Sequence, residues 1–217
     1  MAPKDAPPPV TPELLLHAYC AGIFPMSDGS GDIYWVEPTE RGIIPLDGFH
    51  ISRSLRRAIL KEDYRITVNG DFAGVLRGCA DREETWISPE IASLYRMLHH
   101  MGYAHSLEVR RDGALIGGVY GVALGAAFFG ESMFSRRSNA SKIALAYLVD
   151  RLRAGGFALL DTQFITAHLK RLGAVEISRE SYRALLERAL AGQGDFLAQP
   201  SSEVSAAGVI QRSTQTS

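Results

Sequence analysis

Glu131 is the one acid in Phe128-Phe129-Gly130-Glu131-Ser132-Met133-Phe134-Ser135, a stretch that otherwise reads as an apolar strand. Further on, the apolar Phe157-Ala158-Leu159-Leu160 ends in Asp161-Thr162-Gln163. Acids carried at the ends of strands are one way to build a site whose geometry a rigid sheet holds. Residues two apart share a side of a strand, so Asp161 and Gln163 are expected to face the same way. A carboxylate bonded to that amide would orient it, and the pair would accept or relay a proton from an amine. The bland alternatives are a buried, paired glutamate at 131 and a helix cap at 161 ahead of Thr166. Two basic clusters accompany the acids: Arg53, Arg56, Arg57 and Lys61, then Arg136, Arg137 and Lys142 beside the Glu131 strand. Arginines at a helix N-terminus suit an anion, although either cluster also reads as a solvated face. Trp86, after Glu83-Glu84-Thr85, reads either as core or as a platform for a base.

Several chemistries find no support. His99, His100 and His105 straddle a helix end and a strand without ligand spacing, so no metal site is expected. There is no GxSxG, no phosphate-binding P-loop and no Ser-His-Asp arrangement. An acetyl-coenzyme A enzyme would carry a Gly-rich turn where this chain has Arg136-Arg137-Ser138-Asn139-Ala140-Ser141. That argues against acetyl-coenzyme A and leaves room for another phosphate-bearing donor. Cys20 and Cys79 lie in apolar helical patterns and read as reduced core residues. The net charge of −1 does not announce nucleic acid, so any such contact must rest on a local basic face. No apolar run approaches the roughly 18 residues of a membrane span. The first nine residues, Pro-rich, lack the apolar core of a secretory signal. A cytoplasmic protein is expected.

The elements that must position these groups follow from periodicity and punctuation. With 217 residues and 46% apolar content, the chain suits one domain plus a small module. Residues 1–10 are expected to be flexible. Thr11-Pro12-Glu13 opens a helix that stops at Gly22, and residues 24–48 read as short strands and turns of a small N-terminal lobe. A short basic helix covers 52–61. Residues 64–69 form a strand, Asp71 caps a helix through Cys79, and Pro89 opens another that ends at Gly102. Strands follow at 105–110, 114–124 and 126–134, with a tight turn at Arg111-Asp112-Gly113. Ser138 or Asn139 caps a helix that runs to about 154 and is closed by Gly155-Gly156. A strand at 157–162, a short helix, a strand at 175–177 and a helix from 179 to 191 complete the order. The expected fold is α+β: a small N-terminal α/β lobe (11–45), then a GNAT-like acyltransferase domain (46–192). Its sheet is mixed and mostly antiparallel, flanked by helices. Residues 193–217, rich in Ser, Gln, Gly and Ala, read as a disordered tail.

Taken together, these residues resemble the leucyl/phenylalanyl-tRNA–protein transferase family. The resemblance spans Thr11 to about Leu190. Its marks are Gly22-Ile23-Phe24-Pro25, His50-Ile51-Ser52-Arg53-Ser54, Thr85-Trp86-Ile87, Gly130-Glu131-Ser132-Met133-Phe134-Ser135, Asn139-Ala140-Ser141-Lys142 and Leu160-Asp161-Thr162-Gln163. The resemblance implies transfer of Leu or Phe, less readily Met, from aminoacyl-tRNA to the α-amine of proteins beginning with Arg or Lys, which marks them for N-end rule degradation. It places Glu131, Asp161 and Gln163 at the amine and Val119, Phe128, Met133, Leu145, Leu148 and Leu160 around the aminoacyl side chain. Trp86 would stack on the terminal adenosine, and Arg53, Arg56, Arg57, Arg136, Arg137 and Lys142 would track the tRNA. An aminoacyl ester is already activated, so no cofactor is expected; nor is a membrane partner, and the chain is expected to be monomeric. One departure is Phe24-Pro25-Met26, where the family commonly has tryptophan after the proline. The competing readings are an acyl-coenzyme A acetyltransferase, an aminoacyl-tRNA transferase with another acceptor, and a non-catalytic tRNA-binding module.

Overall fold

The computed structural model describes residues 10–27, 32–200 and 204–214. Helix α1 (Pro12–Cys20) starts as its sequence dictates: Thr11 Oγ1 accepts from Leu14 N, with proline in the first turn. It stops before Gly22, whose φ of +78° suits glycine. Strands β1 (Phe24–Ser27) and β2 (Ile33–Val36) pair antiparallel as a separate ribbon. The chain then passes through β3 (Glu40–Ile43), α2 (Arg53–Leu60), β4 (Arg65–Val68), α3 (Phe72–Ala80) and α4 (Pro89–His100). Next come β5 (Ala104–Arg111), β6 (Ala114–Leu124), β7 (Ala127–Ser135), α5 (Ala140–Ala154) and β8 (Leu159–Gln163). Helix α6 (Ala167–Lys170), β9 (Val175–Ser178), α7 (Arg179–Ala191) and α8 (Ala206–Thr214) follow.

The large sheet has the order β4-β5-β6-β7-β8-β3-β9. Every neighbouring pair is antiparallel except β7 with β8. This is the mixed, mostly antiparallel sheet flanked by helices that the element order implies. Alternation along β7 divides the core: Phe128 packs with α5 and α8, whereas Phe129 packs with α1, α3 and α4. The expected lobe boundary at 45 falls beyond β3, which bonds into the large sheet between β8 and β9.

Two irregularities shape the centre of the sheet. In the β6–β7 register Tyr120 pairs with Ser132 and Gly121 with Gly130, so Glu131 is an extra residue. In the β3–β8 register Ile43 pairs with Asp161 and Gly42 with Gln163, so Thr162 is extra. Such bulges re-aim side chains and end pairing. Strands β7 and β8 stay bonded only as far as Phe129 and Asp161. Beyond that point they part, with a bulge on each side of the opening.

Two expectations are corrected here. The residues past 193 are not a disordered tail where they are described. Phe196 is 3% exposed, its ring centroid 4.4 Å from that of His105 and 5.3 Å from that of Phe128. In α8, Ala206, Val209 and Ile210 are buried, and Arg212 forks onto Asp150 of α5 through Nε–Oδ1 (2.6 Å) and Nη2–Oδ2 (2.8 Å). A few apolar anchors at helical spacing outweigh the polar composition around them. Cys79 is buried as expected, but Cys20, the last residue of α1, is exposed. The expected flexible N-terminus lies, apart from residue 10, outside the described residues.

Candidate active site

The opening between β7 and β8 leads into a cavity of about 520 Å³, a size that suits a small-molecule site. Its apolar wall is Val119 from β6, Met133 from β7, Leu145 and Leu148 from α5, and Leu160 from β8. Polar groups stand on other sides: Glu131, Gln163, Arg82 and His168. Phe24, Pro25 and Met26 of β1, with Trp86 and Phe164, supply further wall. Five of the six residues expected around an aminoacyl side chain are therefore together. The sixth, Phe128, is not: it is 1% exposed and packs on Phe157 and Phe196. It precedes the bulge, where β7 is still bonded to β8, so its ring stays in the closed core.

Glu131 is half-buried at the polar end of this cavity. Tyr19 OH of α1 donates to its Oε1 and Tyr95 OH of α4 to its Oε2, each at 2.6 Å, and Gln163 Nε2 donates to Oε1 at 3.3 Å. The two tyrosine oxygens are also 2.6 Å apart. Two hydroxyl protons cannot fill three oxygen–oxygen contacts. If Glu131 is ionised, both go to the carboxylate and the Tyr19–Tyr95 contact has none; a third proton, on Glu131, closes the ring. Burial pushes the Glu131 carboxyl up to about 7, opposed by the two tyrosine hydrogen bonds. Trp86 packs edge-on against Tyr95, with centroids 6.3 Å apart, so it carries the cavity wall and backs one of the tyrosines at once.

Asp161 and Gln163 are brought together in a different way from the expected one. Asp161 is 0% exposed and does not line the cavity. Its Oδ1 accepts from Gln163 backbone N (2.8 Å), not from the side-chain amide. Arg41 Nε bonds Oδ1 at 2.9 Å, Arg41 Nη2 bonds Oδ2 at 2.6 Å, and Tyr182 OH donates to Oδ2 at 2.7 Å. The expectation that the Asp161 carboxylate polarises the amide side chain is corrected: the Thr162 bulge turns the next peptide N–H towards it. The amide of Gln163 faces Glu131 instead.

The basic residues divide. Arg136 helps line a second cavity of about 390 Å³ that shares Arg82, Met133 and His168 with the first and adds Ser135 and Ser141. Arg137 is exposed and Lys142 donates to Asn139 Oδ1. Asn139, in the left-handed region at φ +67°, makes no side-chain cap; Ser135 Oγ accepts from Ser141 N instead. Arg53, Arg56 and Arg57 are exposed on α2 and line neither cavity. His168, whose Nε2 has no hydrogen-bond partner, is held below the usual histidine range by burial, with Lys142 and Arg171 adding to the effect.

Sequence reasoning missed Tyr19, Tyr95, Arg41, Tyr182 and Arg82. The tyrosines sit on apolar helical faces and read as core. Arg41 carried a usable signal, a charge directly before Gly42-Ile43-Ile44, but its neighbourhood read as turns. Arg82 lies in a charged loop, and its guanidinium reaches Ser132 Oγ and Met133 O on β7.

Comparison with known proteins agrees along the chain. A family model described as leucyl/phenylalanyl-tRNA protein transferase matches residues 43–187, and one for the N-terminal domain of the same family matches residues 9–39. A Ruegeria pomeroyi protein with that name is 64% identical over 208 residues, covering 95% of this chain and 98% of its own length. A Cereibacter sphaeroides protein of the same name is 62% identical over 213 residues, covering 97% and 99%. Among solved structures, FemX is similar with a TM-score of 0.52 at 12% identity, covering 76% of this chain and 66% of its own. That likeness concerns the fold.

Proposed function

Because the chain belongs to the leucyl/phenylalanyl-tRNA–protein transferase family, we propose that its cavity holds the aminoacyl end of a charged tRNA and passes Leu or Phe to the α-amine of a protein that begins with Arg or Lys. In that reading a modified protein is marked for degradation by its new N-terminus. The observation that carries it is one space in which an apolar wall of Val119, Met133, Leu145, Leu148 and Leu160 opens onto Glu131 and Gln163.

The chemistry needs little more than placement. The amine nitrogen attacks the carbonyl carbon of the aminoacyl ester. A C–N bond forms, the C–O bond to the 3′ ribose oxygen breaks, and the proton lost by nitrogen ends on that oxygen. An α-amine has a pKa of about 8, so a group titrating near neutrality suffices to exchange its proton. Glu131 is that group, and as carboxylate it draws the cationic N-terminal residue. The amide of Gln163 meets the amine, and orientation supplies much of the rate. Met133 and the leucines form a pocket that separates side chains by about 1–3 kcal/mol per methylene, so some leakage to Met follows. Trp86 supports the terminal adenosine, and Arg136 with Arg53, Arg56 and Arg57 follows the phosphates without reading sequence.

The test is transfer of labelled leucine from charged tRNA to peptides that differ only in their first residue. The reading predicts labelled product with Arg and Lys and little with Asp or Met. Transfer to Asp or Glu would move the chain to a different acceptor. Acetyl transfer from acetyl-coenzyme A, with none from Leu-tRNA, would overturn the reading.

A further inference from the structure

We infer that Arg41 and Tyr182 are positioning residues for the transfer reaction: they lock Asp161 so that it fixes the backbone of Gln163 and aims the Gln163 amide at Glu131. The inference rests on the functional reading above. Neither residue lines the cavity or bonds Glu131.

A carboxylate oxygen accepts about two hydrogen bonds. Asp161 Oδ1 takes Arg41 Nε and Gln163 N; Oδ2 takes Arg41 Nη2 and Tyr182 OH. Both oxygens are filled and the side chain is 0% exposed. Asp161 therefore has no lone pair left for a substrate proton, and its influence on the reaction passes through the groups it holds.

One of those groups is strained. Gln163 has φ +57°, a left-handed backbone that a glutamine adopts only when its surroundings impose it. The bond from its N–H to Asp161 Oδ1 helps to impose it, together with the turn bond from Phe164 N to Thr162 O at 2.7 Å, where β8 has just parted from β7. Without it, Gln163 relaxes towards extended backbone and its amide leaves Glu131 Oε1.

Arg41 makes the lock rigid. Its guanidinium lies between two rings, 4.7 Å from the Phe24 centroid and 4.4 Å from that of Tyr182, and Nη1 donates to Gly22 O at 2.8 Å. The same guanidinium thus bonds the turn that leads into β1, whose Phe24 and Met26 wall the cavity, and the acid that holds Gln163. It sets the wall that would face the donor and the amide that would face the acceptor in one frame. Lysine at 41 would keep the charge but not this fork.

Steady-state transfer of labelled leucine from Leu-tRNA to an Arg-initiated peptide tests the assignment. Tyr182→Phe keeps the ring beside Arg41 and removes one donor to Asp161. It is expected to lower kcat about tenfold and leave KM for tRNA and for peptide within about twofold. Arg41→Lys is expected to lower kcat further. Because Tyr182 acts through Asp161, Asp161→Asn with Tyr182→Phe should be no slower than Asp161→Asn alone. If Arg41→Lys does not fold, Tyr182→Phe and the double variant decide. Wild-type kcat in Tyr182→Phe, a rise in KM at unchanged kcat, or additive losses in the double variant would overturn the inference. Failure of the wild-type protein to transfer leucine would instead overturn the functional reading on which it rests.

Discussion

Glu131 sits in an environment that resists its charge. Tyr19 faces it from α1, Tyr95 from α4, Gln163 and Asp161 from β8, with Tyr120 of β6 and Arg41 of β3 nearby. Burial outweighs the hydrogen bonds and raises its folded-state pKa to about 7 from the usual carboxylate range. A group whose pKa is raised on folding binds its proton more tightly in the folded state, so it lowers stability as pH climbs from about 4.5 to about 7. Glu131→Gln should therefore melt higher than wild type at pH 8. That advantage should shrink towards pH 5, as thermal melts across pH would show, while leucine transfer is lost. A wild-type arm of the same experiment should show transfer rising through about pH 7 as Glu131 ionises. Asp161 carries the opposite risk. Arg41→Met would strand it as a buried, unpaired acid, and denaturant unfolding should show a loss of about 3–5 kcal/mol. At this scale the sequence singled out Glu131, Asp161 and Gln163 because acids interrupt apolar strands. It did not reveal what each acid touches, because Tyr19, Tyr95 and Tyr182 are indistinguishable from core aromatics until helices pack.

Among the elements, the bulged pair β7 and β8 turns a sheet into a site. Both strands were legible from their apolar runs and both ends from their acids. The bulges at Glu131 and Thr162 were not, because an extra residue leaves no mark in a period-two pattern short enough to tolerate it. Phe128, which the resemblance placed at the pocket, precedes the β7 bulge and lies in the core. Helix α8 was missed for another reason: three buried apolar residues, Ala206, Val209 and Ile210, sit in a polar composition. Phe196, held between His105 and Phe128, is the anchor of this segment. Phe196→Ala should destabilise the fold by about 3–5 kcal/mol, the range for a large buried aromatic. Calorimetry checks this, and KM for Leu-tRNA, measured well below the melting temperature, should not move, since Phe196 lines neither cavity.

Across the whole molecule, the near-neutral net charge conceals an arrangement in which Arg136 adjoins the cavity and three arginines stand exposed on α2. If these faces track phosphates, raising salt from about 50 to about 200 mM should weaken tRNA binding several-fold or more. Replacing Arg53, Arg56 and Arg57 by alanine should flatten that dependence in a filter-binding assay and leave peptide KM in place. The element order from β4 to α7 was readable because caps, glycines and hairpin signals agreed with the hydrophobic pattern. The insertion of β3 between β8 and β9 was not, since it depends on pairing across more than a hundred residues of chain.

The most direct measurement is single-turnover transfer of labelled leucine from Leu-tRNA to an Arg-initiated peptide by the wild-type protein and by Gln163→Ala, with tRNA binding measured in parallel. A site in which the Gln163 amide meets the attacking amine predicts a loss of about a hundredfold or more in the transfer step at unchanged tRNA affinity. Wild-type transfer by Gln163→Ala, or a loss that only follows weakened tRNA binding, would contradict it.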